Sequence, residues 1–338
     1  MPKATISDVA SAAGVSRKTV SRVLNNEAGV KPETQQRVIA AMEQLGYAPN
    51  MSARRLRSQQ SYQVGLLFRD FPGNFYSSMM ISGAIKACDE LGYDLLIRPL
   101  KIENENWANV VQYMLQRSNP DGLIVVPPLC DDDKVLIPIL ASETPMVKVA
   151  AINPGGSENI HCDELSAARN AVQHLISLGH TRIGIINCLK SHAAGEWRQQ
   201  GYQQALAQAG IFVEPELQQY HVYQPDIMEQ SARRLLGLAE PPTAIFATSD
   251  TTAALLYRVA SQLQFRIPYD LSIVGFDDEP LSSNLWPPLT TVRQPVPALG
   301  KAAVSLLVKR LIQGRSDYQP EQLSCELIIR HSTGPVVR

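Results

Sequence analysis

The chain has 338 residues, 45% of them hydrophobic, and a formal net charge of −1. That length exceeds one ordinary domain and supplies enough apolar material for a large core. No apolar run reaches membrane-spanning length, and an odd count of five scattered cysteines without a CxxC pair argues against a disulfide framework or a zinc site. Cys88, Cys130, Cys162, Cys188 and Cys325 are expected to be buried or free thiols in a reducing compartment. The opening "MPKATISDVASAAG" lacks the apolar core of a signal peptide, so a cytoplasmic location without membrane attachment is expected.

Charge is unevenly spread. Residues 1–60 hold nine Lys/Arg and four Asp/Glu, a basic head on a mildly acidic body. Such a head calls for an anionic partner.

In chain order, "TISDVASAAGV" reads as a first helix. Thr5 is its N-cap, Asp8 completes a capping-box pair, and Ile6, Val9, Ala10 and Ala13 form the apolar face. Gly14 breaks that helix, Val15 plugs the turn, and Ser16 caps the next. In "GVSRKTVSRVLNN", Val20, Val23 and Leu24 share one stripe, while Arg17, Lys18, Ser21, Arg22 and Asn25 lie on the opposite side. Pro32 suits the first turn of a third helix, whose expected buried stripe is Val38, Ile39, Met42 and Leu45 and which Gly46 ends. Lys31 is a poor cap there.

Two short helices joined by a glycine turn, with a third across them, make a helix-turn-helix unit whose second helix reads the DNA major groove. An arginine on that helix can form a bidentate pair with guanine, and Ser16, Thr19 and Ser21 suit phosphate oxygens. Next, "YAPNMSARRLRSQQS" sets Leu56 among Arg54, Arg55 and Arg57. A helix with so little apolar surface is not stable alone. It reads either as a flexible basic linker or as a hinge helix that folds on DNA, with Leu56 a minor-groove wedge. Thr5, Tyr47, Asn50 and Ala53 complete the candidate DNA-contacting set.

From Tyr62 onward, short apolar runs alternate with helical stretches: "QVGLLF", "DLLIRP", "GLIVV", "RIGIINC", "TAIFAT" and "LSIVGF". This alternation predicts doubly wound parallel sheets, and about 275 residues fit two lobes with a ligand cleft beyond the strand ends. Polar groups just after strands are the candidate lining. They are Arg69 and Asp70 with Asn74, Phe75 and Tyr76 in the next loop, Trp197 and Arg198, Tyr223, Ser249 and Asp250, and Asp277 and Asp278. Arginine forks and carboxylates hold paired hydroxyls, and aromatic rings stack on apolar sugar faces. Arg69 either meets a ligand carboxylate or phosphate, or pairs with Asp70 or Asp277 as plain structure.

The stretches "TISDVASAAGVSRKTVSRVLNN", "RVIAAMEQLGYAPN", "LISLGHTRIGII", "DLSIVGFDD", "PPLTTVRQP" and "LIIRHST" together resemble the lactose/galactose repressor family of bacterial regulators, over essentially the whole chain. The resemblance implies an α/β fold: a helix-turn-helix domain at 1–48, a hinge helix or linker at 49–61, and a core at 62–338 resembling periplasmic sugar-binding proteins. It places an N-lobe at about 62–161 and 292–322 and a C-lobe at about 162–291 and 323–338. It implies a homodimer on a pseudo-palindromic double-stranded DNA operator, with a sugar or sugar derivative as effector and no cofactor. Arg198 and Asp277 match the family's sugar-contacting positions, and Tyr223 falls where an aromatic is frequent. Departures at Arg69, Val126, Ala150 and Ser249 point to a ligand other than a galactoside. No leucine-heptad tail follows the core, which favours a dimer over a coiled-coil tetramer.

Enzyme motifs are absent: there is no nucleophile elbow, no P-loop and no H-E-x-x-H, and the six histidines are isolated. His180 reads as structural at a helix-to-strand turn, and His192 as a candidate cleft residue. "CDDDK" reads as a solvated loop opening a helix, not a metal site. A transport-type solute-binding protein is the second reading, opposed by the basic head.

Overall fold

The computed structural model describes residues 4–24, 29–47, 60–70, 75–101, 106–188, 193–221, 224–314 and 323–336. The chain forms two compact units, Met1–Ser61 and Tyr62–Arg338.

The first unit contains α1 (Ile6–Ala13), α2 (Arg17–Leu24) and α3 (Pro32–Leu45). Thr5 and Asp8 form the expected capping box: Thr5 Oγ1 accepts the Asp8 N–H, and Asp8 Oδ2 accepts the Thr5 N–H at 2.8 Å. Gly14 stops α1 in the left-handed region at φ 63°, which a glycine adopts without strain. Val9, Ala10, Ala13, Val20, Val23, Val38 and Ala41 make the core, with Ile6, Val15, Leu24 and Met42 packed around it. One part of the sequence reading is corrected. Ile39 and Leu45 are exposed, at 43% and 37%, and Ala41 is buried instead. Each residue turns a helix by about 100°, and with Val38 pointing into this narrow core Ile39 falls outside the buried face.

The second unit is built on two parallel sheets. The first has the order β2-β1-β3-β4-β5, from β1 (Gln63–Asp70), β2 (Asp94–Lys101), β3 (Gly122–Val125), β4 (Met146–Val149) and β5 (Glu158–Ile160). The second has the order β7-β6-β8-β9, from β6 (Ile183–Cys188), β7 (Gln218–His221), β8 (Ala244–Ala247) and β9 (Ser272–Val274). Every pairing within each sheet is parallel. In each, the first strand in sequence lies inside the sheet with later strands on both sides. That is the switch-point topology whose strand ends open onto a ligand crevice.

Helices cover both faces. Around the first sheet run α4 (Phe75–Leu91), α5 (Trp107–Ser118) and α6 (Asp133–Ala141); around the second run α7 (Glu164–Ser177), α8 (Ala193–Gln208), α9 (Pro225–Leu236), α10 (Asp250–Gln262) and the short α11 (Pro280–Asn284). The chain then returns, and α12 (Val296–Gln313) packs on α4 over the first sheet. Contact there is backbone-close: a Cβ on Gly83 would lie 1.9 Å from the Pro297 carbonyl oxygen. Three segments link the lobes. Cys162 pairs with Leu323, Asp277 pairs with Arg293, and β10 (Thr291–Arg293) lies antiparallel to β11 (Glu326–Ile328).

Two further expectations change. The strand begun by "QVGLLF" runs on through Arg69 and Asp70, which pair with Leu100 and Lys101 of β2 rather than sitting in a loop. Cys130, the first residue of "CDDDK", is buried with the preceding Leu129 in a single 3-10 turn that ends at Asp131. Asp131 accepts the Ile152 and Asn153 N–H groups, so the opening of α6 is left to Asp132, its N-cap, and Asp133, its first residue. His180 is structural as read: it is 2% exposed and bonded to Thr243, Ser272 and the Gly334 carbonyl. No described helix is long and apolar enough to cross a membrane, and no cluster of three or more His, Cys, Asp or Glu among the described residues could hold a metal.

Candidate functional site

On the first unit, α2 presents its polar face as its hydrophobic spacing requires. Val20 and Val23 are buried, Arg17 and Lys18 are exposed, and Ser21 and Arg22 are half-buried at the margin. Ser16 Oγ accepts the Thr19 N–H at 3.1 Å and meets the Thr19 hydroxyl at 2.9 Å, so these two hydroxyls fix the first turn. The guanidinium of Arg22 reaches toward Gly29: a Cβ there would lie 3.3 Å from Arg22 Nη2. Tyr47 packs against the helical core, its N–H bonded to the Met42 carbonyl at 2.9 Å. The result is a rigid helix whose positive end-dipole and two exposed cations lie at the same end, suited to an anionic polymer. Asn25, Asn50, Ala53, Arg54, Leu56 and Arg57 lie outside the described residues, as do Asn74, Tyr223 and His192.

In the second unit a buried charged cluster is organised around Arg198 on α8. Its side chain is 6% exposed. Nε and Nη2 donate to Glu164 at 2.8 and 2.7 Å, Nη1 donates to the Thr248 carbonyl at 2.5 Å, and Nη2 lies 3.6 Å from Asp277. The guanidinium also stacks over the Phe276 ring, 3.8 Å from its centroid. A fork gripped by a carboxylate, a carbonyl and a ring is fixed before any ligand arrives.

Asp277 follows β9 at φ 108°, and Asp278 at φ 50°. Aspartate tolerates this region better than most residues, and the turn aims the two carboxylates apart. Asp278 is tied to Arg293, Arg330 and Ser282 and serves the lobe's own structure. Asp277 accepts the Gln294 amide at 2.7 Å on Oδ1, the oxygen that also faces Arg198. Burial pushes the Asp277 carboxyl up to about 6, with the Arg198 charge pulling the other way. Its neighbours behave alike. Burial and then the Asp277 charge lift Asp250 to about 8 and Glu279 to about 7. Asp250 is held by the Thr291 hydroxyl at 2.5 Å and the Glu279 N–H at 2.7 Å. The floor of the C-lobe side is thus rich in acceptors.

From the other lobe, Phe75 and Tyr76 open α4 just beyond β1. The Tyr76 hydroxyl is held far above its usual range, first by burial and then by the Glu164 charge, which sets it beside the Arg198 network. Trp197 packs against the first lobe's apolar cluster, with its ring 5.4 Å from that of His161. Ser249 is the N-cap of α10, its Oγ accepting the Thr252 N–H at 3.1 Å. Strand alternation puts Arg69 on the face of Leu67 and Asp70 on that of Leu66 and Phe68. Val126 and Ala150 are buried. The sequence-chosen Trp197, Arg198 and Asp277 therefore gather in one place. Tyr76, named from the sequence, joins them, and so do Glu164, Gln294 and Thr248, which were not singled out. Glu164 looks like an ordinary acidic residue in a helix's first turn, and only the three-dimensional convergence buries it.

Residues 5–50 match the family model of bacterial regulatory proteins, lacI family, and residues 172–333 match that of the periplasmic binding protein-like domain. The chain is 30% identical over 333 residues to the ribose operon repressor of Escherichia coli (strain K12), covering 97% of this chain and 99% of that one. It is 32% identical over 337 residues to the HTH-type transcriptional regulator DegA of Bacillus subtilis (strain 168), covering 99% of each. Among solved structures it resembles a transcriptional regulator CelR-cellobiose complex, with a TM-score of 0.74, 28% identity and coverage of 97% and 99%. It also resembles the lac repressor dimer bound to operator and the anti-inducer ONPF, with a TM-score of 0.76, 28% identity and coverage of 98% and 100%. With a capped helix-turn-helix unit, a two-sheet core and relatives alike from end to end, the chain belongs to the lacI family of bacterial regulatory proteins.

Proposed function

We propose that this chain is a ligand-responsive, sequence-specific DNA-binding repressor, acting in the cytoplasm, whose operator affinity is set by a small polyhydroxylated effector held between the core lobes. The observation that carries the reading is the preorganised Arg198–Asp277 pair at the strand ends of a chain whose head presents Arg17 and Lys18 on a capped helix. Arg17, Lys18 and Arg22 read base edges, while Ser16, Thr19, Ser21 and the amino end of the head near Thr5 meet phosphates. Asn25, Tyr47, Asn50, Ala53, Arg54, Leu56 and Arg57 extend the contact along the duplex. Two copies on a pseudo-palindromic operator follow from the likeness to the lac repressor dimer.

In the core, Asp277 accepts effector hydroxyls, Arg198 donates to a ring or hydroxyl oxygen, and Trp197 and Phe75 cover the apolar sugar face. Arg69, Asp70, Tyr223 and Ser249 are the outer candidates. The arrangement provides binding and no reaction, in keeping with relatives named as repressors and regulators. Regulation is then a linkage: the effector shifts DNA affinity only as far as it binds the two states of the protein differently. A thermal-shift screen over mono- and disaccharides, sugar acids and purines tests this. A neutral saccharide that raises the core's melting temperature in the wild type and not in Asp277→Asn supports it. A hit confined to purines or to anions sinks the polyhydroxyl assignment.

A further inference from the structure

The crossover region brings together two thiols that the effector contacts do not use. Cys162 lies on the first crossover, 2% exposed, and pairs with Leu323 on the third. The Asp163 N–H donates to the Leu323 carbonyl at 3.1 Å, locking that pairing. Cys162 Sγ donates to Gln294 Oε1 at 3.6 Å on the second crossover. The antiparallel ladder of β10 and β11 ends with Arg293 opposite Glu326, one residue short of Gln294 and of Cys325. Cys325, two residues beyond the Leu323 that pairs with Cys162, packs against the same apolar cluster that contains Cys162, and its side chain raises the Cys162 pKa more than burial does. Both are free, and Cys325 is the more exposed of the two.

We propose that Cys162 and Cys325 form a redox modification site, in which a peroxide converts the pair into a disulfide stapling the first crossover to the third. Cys325, the accessible thiol, loses its proton and attacks one peroxide oxygen. The O–O bond breaks, Cys325 becomes a sulfenic acid, and the second oxygen leaves as water. The Cys162 sulfur then attacks the Cys325 sulfur, the S–O bond breaks, and a second water leaves with the Cys162 proton. Two thiols give up two electrons and two protons to one peroxide, and a dithiol reductant reverses the bond by two exchange steps. The Cys162–Leu323 pairing already holds the two segments side by side, and a disulfide needs about 2.05 Å between its sulfurs. In a reducing compartment such a bond is a transient sensor, not a permanent brace. The staple joins segments whose backbone must adjust when the lobes move. Its effect on effector response rests on the proposed function, but the bond itself does not.

The test uses the full-length protein, treated with hydrogen peroxide near neutral pH, alkylated, digested and mapped by mass spectrometry. The expected result is one cross-linked peptide pair containing Cys162 and Cys325 within a single chain, two fewer alkylatable thiols, and full reversal by dithiothreitol. The buried Cys88, Cys130 and Cys188 should stay alkylatable after unfolding. Oxidised protein should melt about 5 °C higher, with the gain lost on reduction, because the bond closes a long loop. In Cys162→Ser, dimedone should label Cys325. Peroxide treatment that leaves both thiols free, a bond between two chains, or a bond from either cysteine to a different one overturns the proposal. Should Cys162→Ser fail to fold, the wild-type peptide map decides by itself.

Discussion

Replacing Arg198 by methionine keeps an apolar stem and removes the guanidinium. What remains is Glu164, with a side chain 3% exposed and no cation in place of the one that bonded it at 2.8 and 2.7 Å. Removing one partner of a buried pair costs about 3–5 kcal/mol, because the survivor is charged and dry. Loss of the stack on Phe276 adds about 1 kcal/mol. Adding Glu164→Leu removes the stranded charge, and exchanging a whole buried pair for apolar side chains is often close to neutral. The stability order should therefore be wild type, then the double variant close behind, then Arg198→Met well below. Urea unfolding followed by fluorescence reads it, since Trp197 sits beside the network. A loss under about 1 kcal/mol for Arg198→Met, or a double variant no more stable than the single, would refute the view that Glu164 and Arg198 stabilise each other.

Three further outcomes are expected. Arg17→Ala with Lys18→Ala should change the preferred DNA sequence, and Arg22→Ala should cost about 1–3 kcal/mol at a guanine, read by binding-site selection and by titration against single-base variants. Core stability should fall as pH rises toward 8 and level off above it. Asp250 and Glu279 keep their protons to about 8 and about 7 when folded but lose them near about 4 when unfolded, so the stability present at low pH is lost progressively up to the folded values. His174 and His180, whose pKa values are lowered chiefly by burial, act in the opposite sense but only below about 6.5. An unfolding midpoint that rises from pH 7 to 8, or a slope unchanged in Asp250→Asn, would contradict the assignment. Gly83→Ala should cost about 1–3 kcal/mol by forcing α4 away from the Pro297 backbone, measured by thermal unfolding; a neutral result would mean the two helices are not in backbone contact.

Much of the head and the frame of the core could be read from the sequence, because periodicity and capping are local. Thr5, Asp8, Gly14 and Ser16 declare helix ends by their own chemistry, and the apolar runs of β1, β3, β6 and β8 stand out against polar neighbours. Errors fell where a tertiary choice decides. Val38 and Ile39 are equally apolar, and only the packing of α1 on α3 selects one. The end of β1 depends on its partner β2, not on its own residues. The charged cluster around Arg198 was half legible. Arg198 and Asp277 follow strands, a position that marks a site, whereas Glu164 and Gln294 come from crossovers far away in sequence. Nothing local to either says that it will be buried against an arginine and an aspartate. The hinge reading at Arg54, Leu56 and Arg57 lies outside the described residues.

The central claim is sequence-specific recognition of DNA by a two-copy protein, and selection of duplexes from a random pool by the full-length chain tests it most directly. The account predicts a pseudo-palindromic motif with equivalent half-sites, altered in Arg17→Ala/Lys18→Ala and weakened by the saccharide that stabilises the core. A pool that shows no enriched motif over background, or a single asymmetric site bound equally well by the wild type and the double variant, would contradict it.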